Sequence, residues 1–212
     1  IKTQSLQSFE WLVQDGGSDD ETLEFLKTTT AQTQSKSDKG IYDAMNALID
    51  RANGDYILFL NAGDELASND VLQAISKYIQ KDNPDFIYGD ALEYENNQRF
   101  YKSARPHESI KLGMFTHHQS MIYHRETIHM LRYNLNYPIA ADYAFTAEFL
   151  KNAQLITCIK KPICIFEAGG ISQQNAKQGR MEQFEIRKAQ NLCTPLQNKI
   201  ITSLQQINLA FR

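Results

Sequence analysis

Three short clusters of oxygen-bearing side chains could do chemistry in this chain: Asp15-Gly16-Gly17-Ser18-Asp19-Asp20, Asn61-Ala62-Gly63-Asp64-Glu65, and Gly89-Asp90. Each follows a run of apolar or aromatic residues. Carboxylates gathered in one place repel one another unless a cation or a polar ligand offsets the charge. Magnesium and manganese favour carboxylate and phosphate oxygens. A nucleoside diphosphate bridged to the chain by such a metal is therefore the chemistry these clusters suit. Taken singly, each cluster reads equally well as a solvated turn, because Asp, Asn and Gly are ordinary turn residues.

The runs before the clusters are strand-like: residues 9–14 (FEWLVQ), 56–60 (YILFL) and 86–88 (FIY). Between them lie helical patterns over 22–28, 41–52 and 71–80. The clearest stripe is Ile41, Ala44, Met45, Leu48 and Ile49, closed by Asn53-Gly54. Ser68, Asn69 and Asp70 are cap candidates for the helix over 71–80. Strands alternating with helices predict an α/β domain with a mostly parallel sheet flanked by helices. In such sheets ligands bind outside the carboxyl ends of the strands, where the three clusters fall. The second half is less regular. It predicts a strand over 121–123, a helix over 142–150, one or two strands over 155–166, and C-terminal helices over 182–189 and 196–209.

Composition narrows the class. A hydrophobic fraction of 42% in 212 residues supports a buried core and excludes wholesale disorder. With 22 basic and 25 acidic residues the net charge is −3, which offers no cationic field for nucleic acid. No run approaches the roughly 18 apolar residues of a membrane helix. Cys158, Cys164 and Cys193 lack CxxC spacing, so neither a disulfide framework nor a zinc site is expected, and a reducing, cytoplasmic compartment fits. The opening residues carry no signal-peptide pattern.

Taken in order, the motifs resemble those of family 2 inverting glycosyltransferases with the GT-A fold, a Rossmann-related architecture. Residues 9–18 (FEWLVQDGGS) are similar to that family's IVVDDGSTD segment. Residues 38–46 (DKGIYDAMN) followed by 54–64 (GDYILFLNAGD) are more specific. They resemble the colanic-acid-type branch that builds bacterial surface polysaccharides. The resemblance runs from about Ser8 to about Arg187.

The resemblance implies roles. Asp15, with Gly17, matches the segment that contacts the nucleotide. Asn61, Gly63 and Asp64 occupy the metal and diphosphate motif, with Asp64 its remaining carboxylate because Asn61 and Gly63 stand where relatives carry acids. Gly16 likewise replaces an acid, and Met45 stands where many relatives carry an arginine. Asp142, in AADY, matches the general base. His118 and Gln119, in HHQS, match the acceptor-side segment, and 169–172 (GGIS) resembles a loop that closes over the donor. The family also begins with a strand and a helix, roughly 25 to 35 residues, that are missing here.

Plainer readings stand beside these. Asp142 opens a predicted helix and is equally a first-turn carboxylate. Asp43 and Asn46 share one helix face, and either support the nucleotide site or face solvent. Asp90 points toward the acceptor side by topology or is a turn aspartate.

The expectation is a single glycosyltransferase domain over 1–212. Residues 1–90 form the nucleotide-sugar half, N-terminally incomplete, 91–180 the acceptor and catalytic half, and 181–212 the C-terminal helices. The implied reaction is inverting transfer of a sugar from a UDP- or GDP-type donor to a saccharide acceptor, assisted by Mn or Mg. A lipid-linked acceptor and peripheral attachment at the inner face of a bacterial membrane follow from the resemblance alone. The alternative is a catalytically silent nucleotide-sugar or saccharide-binding module.

Overall fold

The computed structural model describes residues 1–210. The chain runs β1 (Leu12–Asp15), α1 (Thr22–Lys27), β2 (Gln32–Ser35), α2 (Ile41–Arg51), β3 (Tyr56–Leu58), β4 (Glu65–Leu66), α3 (Val71–Asp82) and β5 (Phe86–Glu95). It continues through β6 (Gln98–Lys102), β7 (Met121–His124), α4 (Arg125–Ile128), α5 (Ala141–Phe149), β8 (Ile156–Glu167), α6 (Ile171–Gln174), α7 (Ala176–Ala189) and α8 (Pro195–Ala210).

Alternating side chains explain how the main sheet is buried. On β5 and β7, Phe86, Tyr88, Met121 and Tyr123 point to one face, where Met45 and Ile49 of α2 and Phe145 and Phe149 of α5 cover them. Ile87 and Ile122 point to the other face, against Val71 and Ile75 of α3. The apolar stripe read in α2 meets one face of this sheet, and Val71 and Ile75 of α3 meet the other.

The strand order is β3-β7-β5-β8-β4, with β6 paired to β5. Pairing is more mixed than the mostly parallel sheet expected. Only β5/β8 in this sheet is parallel, while β3/β7, β5/β7, β4/β8 and β5/β6 are antiparallel. β1 and β2 form a separate parallel pair. The cause lies in connections without a crossover helix. Asn96 and Asn97, at φ 50° and 60°, make the two-residue turn that folds β6 straight back onto β5. β7 likewise enters from a single 3-10 turn, His118–Ser120.

A bulge interrupts the β5/β8 ladder at the strand end of interest. Gly89 pairs with Ile159, but Asp90 pairs with Pro162. Gly89 has no alternative residue, since a Cβ would lie 2.9 Å from the Ile159 carbonyl oxygen and 2.7 Å from Ile163 Cδ1. The segment expected over 155–166 is thus one bulged strand, Ile156–Glu167, and α7 begins six residues earlier than 182.

Candidate active site

The end of β1 is organised by one carboxylate. Asp15 accepts the N–H groups of Gly17 at 3.0 Å and Ser18 at 3.1 Å, and the hydroxyls of Ser18 at 2.5 Å and Ser35 at 2.6 Å. The Ser18 and Ser35 hydroxyls, then the two N–H groups, hold its pKa down at about 2. Asp15 therefore shapes the 15–18 loop and locks β1 to β2. Gly17 takes φ 92°, the turn conformation its type allows. Gly16 lies against Asp38, whose Oδ2 would be 3.0 Å from an added Cβ.

The loop after β3 forms a second node. Asp64 N–H closes a turn on the Asn61 carbonyl at 3.1 Å, with Gly63 at φ 91° in the third position. Asp64 Oδ2 accepts the Gln119 side-chain amide at 2.6 Å, and Oδ1 accepts the Glu167 N–H at 2.9 Å. Burial, with the Glu167 charge adding to it, pushes the Asp64 pKa up. Glu167 itself reaches back so far that its Oε2 would lie 2.5 Å from a Cβ at Gly63. Three expected residues, Gly63, Asp64 and Gln119, thus come together, and Glu167 joins them unannounced. Its only sequence signal is its place just before Gly169-Gly170.

The third node is Asp142, in the first turn of α5. Its half-buried carboxyl is pushed up to about 6 by loss of solvent, against the lowering effect of the Tyr143 N–H and the Tyr42 hydroxyl. Tyr42, on α2, donates to the Ile139 carbonyl at 2.9 Å and stacks on Tyr133. A carboxylate held near 6 ionises at neutral pH yet remains basic enough to take a proton, the property a general base requires.

The remaining expected residues are occupied by the protein itself. Asn46 uses both ends of its amide on the Tyr133 main chain, donating at 3.0 Å and accepting at 2.8 Å. Tyr133 in turn hydrogen-bonds His118 Nε2 at 2.9 Å and stacks on Phe145 of α5. His118 is buried, and that burial lowers its pKa to about 4, so it is a neutral core imidazole. Asp90 is buried too, accepting from the Tyr101 hydroxyl at 2.5 Å and Ala104 N–H at 2.7 Å. Asp43 accepts the Lys39 N–H at 3.0 Å, at the head of α2. Asn46, His118 and Asp90 are thus each held by internal bonds. The reason is burial, because a polar group without water must find a protein partner.

Among the described residues, no three His, Cys, Asp or Glu side chains converge as a metal-holding group. Asp64, with Glu167 beside it, nevertheless fits the magnesium and manganese pattern of one or two carboxylates completed by substrate phosphates.

Comparison with known proteins bears on this arrangement. The family model described as glycosyl transferase family 2 matches residues 1–152. A PGL/p-HBAD biosynthesis glycosyltransferase of Mycobacterium tuberculosis is 32% identical over 165 residues, covering 74% of this chain and 64% of that protein. The chain thus spans about 64% of the length of that relative. The crystal structure of S. aureus TarS 1–349 in complex with UDP superposes with a TM-score of 0.69 at 15% identity, over 96% of this chain and 64% of that one. The mannosyltransferase PcManGT from Pyrobaculum calidifontis, in complex with GDP-Man and Mn2+, gives 0.63 at 12% identity, over 99% and 68%. At these identities the likeness to both structures is one of fold.

Proposed function

The chain belongs to glycosyl transferase family 2 and has a GT-A-like α/β fold, and from that premise we propose inverting sugar transfer from a nucleotide-sugar donor to a saccharide acceptor. The observation that carries the reading is Asp142, a half-buried carboxylate poised near 6 at the start of α5. In this reaction Asp142 takes the proton of an acceptor hydroxyl as that oxygen attacks the anomeric carbon. The bond from that carbon to the diphosphate oxygen breaks, and the nucleoside diphosphate leaves. The opposite-face attack inverts the anomeric centre, and no enzyme nucleophile is needed.

Asp64 and Glu167 would hold a divalent cation, which supplies charge stabilisation to the departing diphosphate. The Asp15–Ser18 loop forms the nucleotide end. Gln119 orients Asp64, and Tyr133 with Asn46 and His118 braces the segment between the nodes. UDP, UDP-GlcNAc and GDP-Man in the related structures support a UDP- or GDP-type donor. Among the described residues no helix is long and apolar enough to cross a membrane. A lipid-linked acceptor of the colanic-acid type, met peripherally at the inner membrane face, is the setting we propose.

The test is a thermal-shift titration with UDP and GDP, each with and without manganese. A manganese-dependent rise with one nucleotide, lost in Asp64→Ala, supports the reading, because a ligand of the folded state raises its stability by mass action. No rise with either, in a well-folded sample, overturns it. The single carboxylate left in 61–64 favours one rival, a silent binding module. In that case nucleotide binds, but no acceptor-dependent turnover exists for Asp142→Asn to remove.

A further inference from the structure

Glu182 is a buried carboxylate that the reaction just described leaves without a task. It sits on α7, 40 residues beyond Asp142, yet it reaches the start of the helix that carries Asp142. Its Oε2 accepts the N–H of Ile139 at 2.9 Å and of Ala140 at 2.8 Å. Its Oε1 accepts the Gln178 amide at 2.9 Å. Backbone N–H groups at a helix start have no partner within the helix, so a carboxylate there both satisfies them and meets the positive end of the helix dipole.

The approach of α7 is built for this contact. Gly179, one turn before Glu182, is buried against Ile139, and an added Cβ would stand 3.0 Å from Ile139 Cγ2. The same Ile139 carbonyl receives the Tyr42 hydroxyl. Residues 139–140 are therefore gripped from both sides, by Tyr42 of α2 through oxygen and by Glu182 of α7 through nitrogen. Asp142 follows two residues later, with little freedom left in its backbone.

We propose that Glu182 is a positioning residue for the base, fixing the start of α5 through the Ile139 and Ala140 N–H groups and setting a negative charge near Asp142. The proposal rests on Asp142 acting as the base. A negative charge near the helix start disfavours ionisation of Asp142. The groups facing Asp142 from the packed elements are Tyr42 on α2, Tyr123 on β7, Tyr133 in the preceding loop and Glu182. α7 also carries the half-buried Arg180, two residues before Glu182. Of the facing groups named, Glu182 is the only carboxylate, and its charge acts to raise the Asp142 pKa.

The experiment is a carboxyl-carbon NMR titration of the full chain labelled at aspartate, with Asp142→Asn identifying the Asp142 signal. Glu182→Gln keeps an oxygen for both N–H groups and removes the charge. We expect its Asp142 midpoint to move to lower pH by roughly 0.5 or more, and the acid limb of kcat/KM to move the same way. Glu182→Ala removes the acceptor as well, and should lower both the melting temperature and turnover. Should that variant fail to fold, Glu182→Gln still decides. The same midpoint in Glu182→Gln and wild type, with Asp142→Asn inactive, overturns the positioning role alone. Full turnover in Asp142→Asn overturns the base assignment instead, whatever the midpoint does.

Discussion

The Gln119 amide donates to Asp64 Oδ2 at 2.6 Å, tying the turn after β3 to the 3-10 turn that leads into β7. The two residues are 55 apart in sequence. Gln119→Ala leaves a half-buried carboxylate oxygen without that donor and should destabilise the fold by about 1–2 kcal/mol. Urea denaturation at neutral pH reads this directly. Gln119→Glu should cost more in EDTA and recover part of the loss in manganese, because a cation between two carboxylates relieves their repulsion. Equal stability of Gln119→Glu with and without manganese would remove the cation from this node.

Asp142 should trade stability for activity. Its folded pKa, about 6, lies above the ordinary 3.8. The folded state therefore favours the protonated form, and the stability this gives is present in full below 3.8 and lost as pH rises through 6. Asp142→Asn, which cannot ionise, should match the wild type near pH 4 and exceed it above pH 7, by up to about 3 kcal/mol. Turnover should fall about 10²- to 10⁴-fold while nucleotide affinity holds. A variant less stable than wild type at pH 7.5 would contradict the linkage.

Asn46 offers the sharpest separation of bracing from binding. Losing both bonds to the Tyr133 main chain in Asn46→Ala should cost about 2–3 kcal/mol. Calorimetric affinities for UDP and GDP should stay within a factor of two or so of wild type once the variant is folded. A tenfold loss of affinity with unchanged stability would place Asn46 on the ligand.

Gly63→Ala tests the crowding beside Asp64. The substitution meets a φ of 91° and the Glu167 carboxylate together. We expect a loss of about 1–3 kcal/mol. Adding Glu167→Ala should return only the part due to contact, since the backbone strain remains. Complete recovery in the double variant would show that the carboxylate alone was at fault.

What could be read from the sequence divides along a physical line. α2 declared itself because its buried face repeats at helical spacing, α3 by the cap candidates before it, and Asp64 because it follows the clearest strand. β2 (QTQS) is polar and exposed throughout, so no pattern marks it. β4 is only two residues long. The Asn96-Asn97 turn lacks the Asn-Gly pair that most strongly marks a hairpin. The roles of Asn46, Glu167 and Glu182 depend on hydrogen-bond partners 42 to 103 residues away. Hydrogen bonds of that span leave no period in a sequence.

The place of β8 in the sheet has a consequence for synthesis. β8 lies between β5 and β4, both made earlier in the chain. Until residues 156–167 emerge, β4 lacks its ladder partner, β5 shows one open edge, and Asp64 lacks the Glu167 N–H. At roughly 5–20 residues per second, the ribosome holds the nascent sheet in that open state for several seconds after β4 appears. Pulse-labelled hydrogen exchange during refolding should show amides of β4 and β8 gaining protection together, after those of α2 and α3. Protection of β4 ahead of β8 would refute that order. Asp64 thus completes its hydrogen bonds only once β8 is in place.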